Sequence, residues 1–595
     1  MLRLSSARLT LSIAALFAIG CGGEQSSTRN GADAGRPLKT GAGGAMQTPD
    51  DGQWSTQSKT ATGWRYSGLA EIDTSSVARL RESWSFSTGT LRGHEGAPLV
   101  VGNTMFLVTP FPNTAYAIDL AAPVQPTVKW RFDPNPQQRA VGKACCDVVI
   151  RGWAYADGKL IYNLLDAHTV AVDAETGKEV WRTAMDDVGR GATMTMSPLV
   201  VGNKVLVGNS GGEMGVHGWL AALDVATGRQ VWRAFATGPD SMVRLDSTFR
   251  PFYAHMKRPG LGISTWPPDE WGRGGGASWG WVTYDSAQHL IFYGTSNPSP
   301  WNQEQRPGAN LFTSTILARD PDTGMARWAY QTTPHDEWDY DGVNENTVLD
   351  LPLDGENRPT VPTIVHFDRN AFVYVIDRRN GRVLSATPFQ EMNWADSVNL
   401  ATGLPHVRQE KRTWEDKWTR DICPNALGAK NHPPTAWSPR TRLMYAPTMN
   451  LCMDFKARPV SYIAGTPYWG AETKTVIGPG GHRGELLAWD PVAKRKAWGV
   501  TEKFPVHSGV LATAGDLVFY GTVEGDFKAL NARTGALLWS KRLSSGIIGA
   551  PMTYRAPDGK QYVAVLSGIG GVMGLFKGEP GYPPLGGTLH VFALP

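Results

Sequence analysis

Short runs of alternating apolar and polar residues recur along the chain from about residue 62 to its end. KVLVGNS (204–210), HLIFYGTSN (289–297) and DLVFYGTVEG (516–525) are examples. A period of two marks a half-buried β-strand, and sustained helical periodicity is scarce over the same length. A second pattern repeats with the strands. AVDAETGKEVW ends at Trp181, ALDVATGRQVW at Trp232, ARDPDTGMARW at Trp328, AWDPVAKRKAW at Trp498 and ALNARTGALLW at Trp539. Each predicts an apolar strand ending at Asp or Asn, a tight turn and a next strand carrying a Trp; four of the five turns contain Thr-Gly. Asp119 and Asp377 sit in weaker copies.

Seven such units, plus one more fitted into the long interval between Asp377 and Asp490, predict an all-β, eight-bladed β-propeller of tryptophan-docking repeats. TRLMYAPT (441–448) is the strand expected for that extra blade. Closing four-stranded blades in a ring removes most exposed sheet edges. The repeated tryptophans then pack between blades rather than serving chemistry.

The N-terminus departs from this pattern. MLRLSSARLTLSIAALFAIGC has Arg3 and Arg8, an apolar run from Leu9 to Ile19, and Gly20 before Cys21. It is read as a lipoprotein signal peptide over 1–20, with Cys21 as the lipidated residue. Residues 21–60 are rich in Gly, Ser, Thr, Gln and Asp and read as a flexible tether, leaving 61–595 for the propeller. The chain is therefore expected in the periplasm, held at a membrane only by its lipid. Gly22 after the lipid cysteine favours the outer membrane.

Composition narrows the function classes. The net charge is +4 over 595 residues, and no basic stripe with interleaved aromatics is present, so nucleic acid is not an expected partner. Cys145, Cys146, Cys423 and Cys452 remain after Cys21, and in an oxidising compartment they predict two disulfides. The absence of C-x-x-C-H excludes a covalently attached haem c.

The densest candidate chemistry is HDEWDYDGVNEN (335–346), with Asp336, Glu337, Asp339, Asp341 and Glu345. In an extended run Glu337, Asp339 and Asp341 would share one face. Carboxylates so close repel, and one pKa must rise unless a cation sits among them.

The repeat together with this run resembles the PQQ-dependent alcohol dehydrogenases, above all the methanol dehydrogenase large subunit, from about residue 62 to 595. The likeness implies pyrroloquinoline quinone (PQQ) and one metal ion near the propeller axis. It implies quinone contacts at Glu95 (RGHEGAPLV), Cys145, Cys146 and Arg151 (KACCDVVIRG), Thr195 (TMTMSP), and Ser210, Gly211 and Gly212 (GNSGGEMG). Further contacts are implied at Trp279 (SWGWVTYD), Arg369 (HFDRN) and Asn431 (DICPNALGAKN). A disulfide between Cys145 and Cys146 would stack on one quinone face and Trp279 on the other. Cys423 and Cys452 match the family's second disulfide.

Glu213, Asn297, Asp339 and Asp341 match metal ligands, hard oxygen donors suited to a hard cation. Calcium-dependent members carry Ala where Asp341 stands, and lanthanide-dependent members carry Asp. Three carboxylates also match a trivalent ion. At an effective dielectric of ~20 and ~4 Å, one further unit-charge attraction is of order 4 kcal/mol before desolvation.

The implied reaction is oxidation of a primary alcohol to an aldehyde. In it the resemblance casts Asp339 as the catalytic base, Arg369 as the donor to the reduced oxygens, and a periplasmic cytochrome c as the electron acceptor. The resemblance also admits a homodimer. Two positions depart from the family: His507 and Val572 stand where methanol dehydrogenases have Trp, which implies a roomier or more polar pocket for larger alcohols. Two other readings share part of the pattern. One is a calcium-dependent enzyme of the same family. The other is a non-catalytic propeller scaffold lipoprotein of outer-membrane assembly.

Overall fold

The computed structural model describes residues 50–355 and 358–595. The signal segment, Cys21 and the first part of the tether lie outside them. Residues 50–60, expected in the tether, are instead part of the folded body. Trp54 is fully buried and its backbone pairs with Val100 through N–H···O bonds of 2.9 Å. Lys59 Nζ lies 2.7 Å from the Asp50 carboxylate. The polar composition of that stretch hid a single large apolar anchor.

The regular structure among the described residues is β-sheet with short helical turns, in the arrangement of a β-propeller. Seven antiparallel sheets follow one another along the chain, spanning 99–132, 153–184, 199–235, 282–331, 346–388, 436–502 and 511–542, each with four consecutively paired strands. Tyr66–Ser67 adds a short parallel strand to the last of these, against Leu511–Thr513. A further four-stranded sheet joins the two ends of the chain, with Arg81–Ser87 paired to Thr588–Ala593 and then to Gln561–Ser567 and Met552–Arg555.

This closure corrects the expectation for the long interval. Leu443–Met449, from TRLMYAPT, pairs with Gly484–Asp490 and so belongs to the sheet that carries Asp490 itself. The interval is filled by insertions: the hairpin Ala395–Asn399 with Leu404–Val407, and a three-stranded sheet of Thr419–Ile422, Leu451–Ala457 and Ala471–Ile477. The sheet that lacks the Asp-turn-Trp motif is the one shared by the chain ends. Its pairing residues are hundreds of positions apart and leave no local repeat.

The repeat itself folds as its chemistry dictates. At Asp173 the carboxylate accepts from Thr176 N (2.8 Å) and Thr176 Oγ1 (2.7 Å), and Gly177 N donates to the Asp173 carbonyl (2.9 Å). Gly177 has φ +70°, and a Cβ there would come within 2.7 Å of the Trp130 ring from the preceding sheet. Only glycine satisfies both the turn and the ring. Trp130 Nε1 then donates to Ala174 O at 3.0 Å. The same docking recurs around the ring: Trp181 on Val225 and Gly228, Trp232 on Pro321 and Gly324, Trp328 on Arg378 and Gly381, Trp498 on Ala532 and Gly535. Each tryptophan thus joins one sheet to the next through an indole N–H bond and a face-on contact.

In such a meander the connections alternate between the two ends of the sheet. The Asp turns, between third and fourth strands, occupy one end. The segments that enter each first strand, and those joining second to third strands, occupy the other. Among the described residues no helix is long and apolar enough to cross a membrane.

Candidate active site

The residues singled out in the sequence lie on the connecting segments of that second end. Glu95 precedes the strand starting at Leu99, Arg151 that at Trp153, Thr195 that at Leu199, and Trp279 that at Val282. Asp339 and Asp341 precede Asn346, Asn431 precedes Ala436, and His507 precedes Leu511. Ser210–Glu213, Asn297 and Arg369 lie on segments between second and third strands. Sheets far apart in sequence therefore present single side chains to one region.

The acidic run is not an extended strand. Asp339 has φ +71° and His335 φ +53°. Asp336 closes a local turn, its carboxylate accepting from Trp338 N (3.0 Å) and Tyr340 N (2.8 Å). Glu337 turns away to Arg412 and to Thr413, whose N and Oγ1 donate at 2.5 and 3.0 Å. His335 is held by Gly308 O and Gln303 Oε1 at 2.6 and 2.7 Å. The face-sharing expected for Glu337 fails, because a left-handed residue resets the alternation.

What remains together is Asp339, Asp341 and Arg369. Arg369 Nη1 lies 3.1 Å from Asp339 Oδ2, and Nη2 lies 3.1 Å from Asp341 Oδ2. Asp341 Oδ1 accepts from Asn297 N at 2.6 Å. Asp339 Oδ1 is buried without a partner. Burial pushes the Asp339 carboxyl well above the ordinary range, Arg369 opposes it, and Asp341 and Glu213 push it further. Asp341 is raised by burial against the pull of Arg369. Glu213 keeps part of its surface open, yet desolvation and then Asp341 raise it too. Burial pulls the Arg369 guanidinium down, but Asp341 and Asp339 outweigh it and hold it above its ordinary value.

Arg369 changes the charge count. Glu213, Asp339 and Asp341 are not among the described groups whose ligating atoms all lie within 4.8 Å of one another. The guanidinium is itself one compensating cation, leaving two negative charges where the sequence counted three. The site still fits a metal ion. Its donors are hard oxygens, the carboxyls are raised by burial and by one another, and Asp339 Oδ1 has no hydrogen-bond partner.

Beside this group lies a second set of contacts. Arg151 Nη1 donates to Thr195 Oγ1 (2.6 Å), which meets Ser210 Oγ at 3.0 Å. Trp279 has guanidinium carbons near its ring, Arg151 at 4.7 Å and Arg369 at 5.3 Å from the centroid. Glu95 Oε2 lies 3.1 Å from Arg151 Nε and 3.1 Å from His432 Nε2. Both contacts lack hydrogen-bond alignment, so Glu95 Oε2 and Arg151 Nε stay unpartnered. Asn431 Nδ2 donates to Leu427 O at 2.9 Å.

Gly211, at φ +111°, has no room for a Cβ beside Gly191 O, whereas Gly212 has nothing nearer than 3.8 Å. An indole face, two guanidinium groups, unmet polar atoms and open glycine backbone fit a flat anionic heterocycle.

The expected Cys145–Cys146 disulfide is not formed: both are thiols, with Sγ atoms 2.7 Å apart. Cys145 and Glu213 interact electrostatically, so this pair lies near the acidic group. Cys423–Cys452 is the disulfide present. Of the departures, His507 is fully buried, while Val572 is half-buried against the cluster of Phe504, Ile548 and Met573. His432 was missed by the sequence reading. Its only signal there was adjacency to Asn431.

A family model described as "PQQ: Glucose/ethanol/alcohol dehydrogenase, beta-propeller domain" matches residues 54–398 and 482–563. The chain is 47% identical over 571 residues to the lanthanide-dependent methanol dehydrogenase of Methylacidiphilum fumariolicum, covering 92% of this chain and 93% of that one. It is 42% identical to methanol dehydrogenase [cytochrome c] subunit 1 of Methylobacterium organophilum, over 91% of each. A solved europium-containing methanol dehydrogenase superposes with a TM-score of 0.89 at 47% identity, over 91% of this chain and 98% of that one.

Proposed function

The chain belongs to the PQQ-dependent alcohol dehydrogenase family, and from that premise we infer that it oxidises a primary alcohol to an aldehyde, using PQQ and a lanthanide ion. Electrons pass to a cytochrome c, the acceptor named for the 42%-identical relative. The eight sheets of four or more strands support eight blades around the site. The N-terminal segment supports a periplasmic protein, lipid-anchored at Cys21, with the outer membrane favoured.

The observation that carries this reading is the buried triad of Asp339, Asp341 and Arg369 with the free oxygen Asp339 Oδ1. Glu213, Asn297, Asp339 and Asp341 would hold the metal ion. Arg151, Thr195, Ser210, Trp279 and Asn431 would hold the quinone. When bound, PQQ supplies a two-electron acceptor and the ion supplies Lewis acidity.

The chain's own work is placement and proton handling. Asp339 Oδ1 is open to take the hydroxyl proton from a bound alcohol. Arg369 fixes the other oxygen, Oδ2, and aligns Asp339 beside Asp341. Burial of all three excludes water from the proton transfer.

A calcium enzyme is the second reading, and one observation favours it: with Arg369 counted, two negative charges remain, which a divalent ion matches. Loading quinone-free protein with PQQ and either La3+ or Ca2+, then following alcohol-dependent dye reduction across a series of primary alcohols, separates the two. Lanthanum-dependent turnover with little from calcium is expected. Equal rates with calcium alone overturn the lanthanide assignment, and a rate no higher for longer or aromatic alcohols than for methanol overturns the expectation from His507 and Val572.

A further inference from the structure

His507 stands on the segment entering its first strand, the position that in other sheets carries Glu95, Arg151, Trp279 and Asn431. It is fully buried, yet neither ring nitrogen has a partner. Its ring meets that of His432 edge-on at 5.0 Å, and His432 in turn meets Trp279 at 5.8 Å. Ligating atoms of Glu95, His432 and His507 all lie within 4.8 Å of one another. A buried imidazole with two unmet nitrogens is costly unless an occupant meets them.

The neighbours define what that occupant offers. Asn431 is fixed in orientation, because Nδ2 donates to Leu427 O and Oδ1 accepts from His432 N at 2.8 Å. His432 therefore has Asn431 Oδ1 at 3.1 Å from Nδ1 and Glu95 Oε2 at 3.1 Å from Nε2. Burial and the cations Arg151, Lys430 and Arg369 keep this ring neutral. Burial, with His432 beside it, likewise pushes His507 down to about 3. A neutral His432 has one N–H for two facing acceptors, which leaves an acceptor in want of a donor.

Arg151, already beside Glu95, makes a further metal ion an unfavourable guest. The unmet imidazole and the unmet Glu95 oxygen favour an anionic group beside a hydrogen-bond donor. PQQ carries that pairing in a pyrrole N–H next to a carboxylate.

We propose that His507, positioned by His432, is a cofactor-binding residue that donates to a carboxylate of PQQ while Glu95 accepts from the adjacent N–H. This rests on the reading that the pocket binds PQQ. A polar imidazole then does, by hydrogen bonding, what a larger indole at this place could do by contact area.

The test is equilibrium binding of PQQ to quinone-free protein in La3+, followed by quenching of tryptophan fluorescence. La3+ affinity is measured separately. His507→Phe is expected to weaken PQQ binding by about ten- to a hundredfold, the worth of a hydrogen bond to a charged group. His507→Asn, which keeps a donor and an acceptor, is expected to recover most of it, with La3+ affinity unchanged in both. A His507→Phe protein that binds PQQ as tightly as wild type overturns the proposal, as does a His507→Asn protein no better than His507→Phe. One equivalent of Co2+ taken up with a d–d band that vanishes in His507→Phe would make the pair a metal site and overturn it as well. Wild-type protein that takes up La3+ but no PQQ defeats the underlying reading along with it.

Discussion

The two ends of the sheets are built from the same strands and behave oppositely. At the turn end, Asp, Thr and Gly bond within five residues of one another, and a tryptophan from the neighbouring sheet closes over each glycine. The Asp carboxylates, Thr hydroxyls and docking indoles of these turns are met locally, and the pattern recurs from sheet to sheet. At the other end each sheet contributes a different side chain, backbone turns left-handed at Asp339, and Asp339 Oδ1, Glu95 Oε2 and both His507 nitrogens stay unmet. The lesson is a division of labour: repetition secures the ring, and single unrepeated side chains, some of them unmet, stand where a ligand can satisfy them.

The contrast is most sharply tested at Asp339. Asp339→Asn should lower kcat by about a thousandfold, the middle of the range for loss of a general base, with little change in the melting midpoint. Dye-linked alcohol oxidation reads the first and calorimetry the second; a variant retaining a tenth of the activity would remove Asp339 as the base. Asp341→Ala should weaken lanthanide binding by at least about a hundredfold, since a unit-charge attraction of order 4 kcal/mol is lost in part to relaxation. Eu3+ luminescence titration measures it, and unchanged affinity would exclude Asp341 as a ligand.

The turn end should respond in the opposite way. Gly381 has φ +79°, and a Cβ there would meet Trp328 at 2.6 Å. Gly381→Ala should cost about 2 kcal/mol of stability while leaving kcat where it was. A parallel loss of turnover would mean the two ends are coupled.

The smallest expected effect is a slope in pH. Burial pushes the Asp336 carboxyl up to about 7 from an ordinary 3.8. The fold therefore holds this proton where the unfolded chain has released it. Its contribution is complete below about pH 4 and is lost as pH rises through about 7. Asp336→Asn should flatten the fall of the denaturation midpoint across that window, and an unchanged slope would assign it to other groups.

Legibility in the sequence followed distance along the chain. The Asp–Thr–Gly–Trp units were readable because their bonds are local, and the tryptophans do pack between sheets. The strand TRLMYAPT was recognised as a strand but assigned to a blade of its own, since its partner, Gly484–Asp490, lies beyond an insertion. The first folded residues were taken for tether because one buried Trp54 carries little weight in composition. In HDEWDYDGVNEN, the grouping of Asp339 with Asp341 was visible, but the dismissal of Glu337 to Arg412 was not, because alternation presumes an extended backbone that Asp339 does not adopt.

By itself the sequence determined the kind of sheet and the turn that ends each motif, which are properties of neighbours in the chain; the residues expected to meet a quinone and a hard cation came from its resemblance to a family. Only the tertiary structure decided that the chain ends share a sheet, that Arg369 stands between Asp339 and Asp341, and that Glu95, His432 and His507 meet. Such encounters depend on closing a ring across hundreds of residues, and no local pattern records which side chains a closed ring brings face to face.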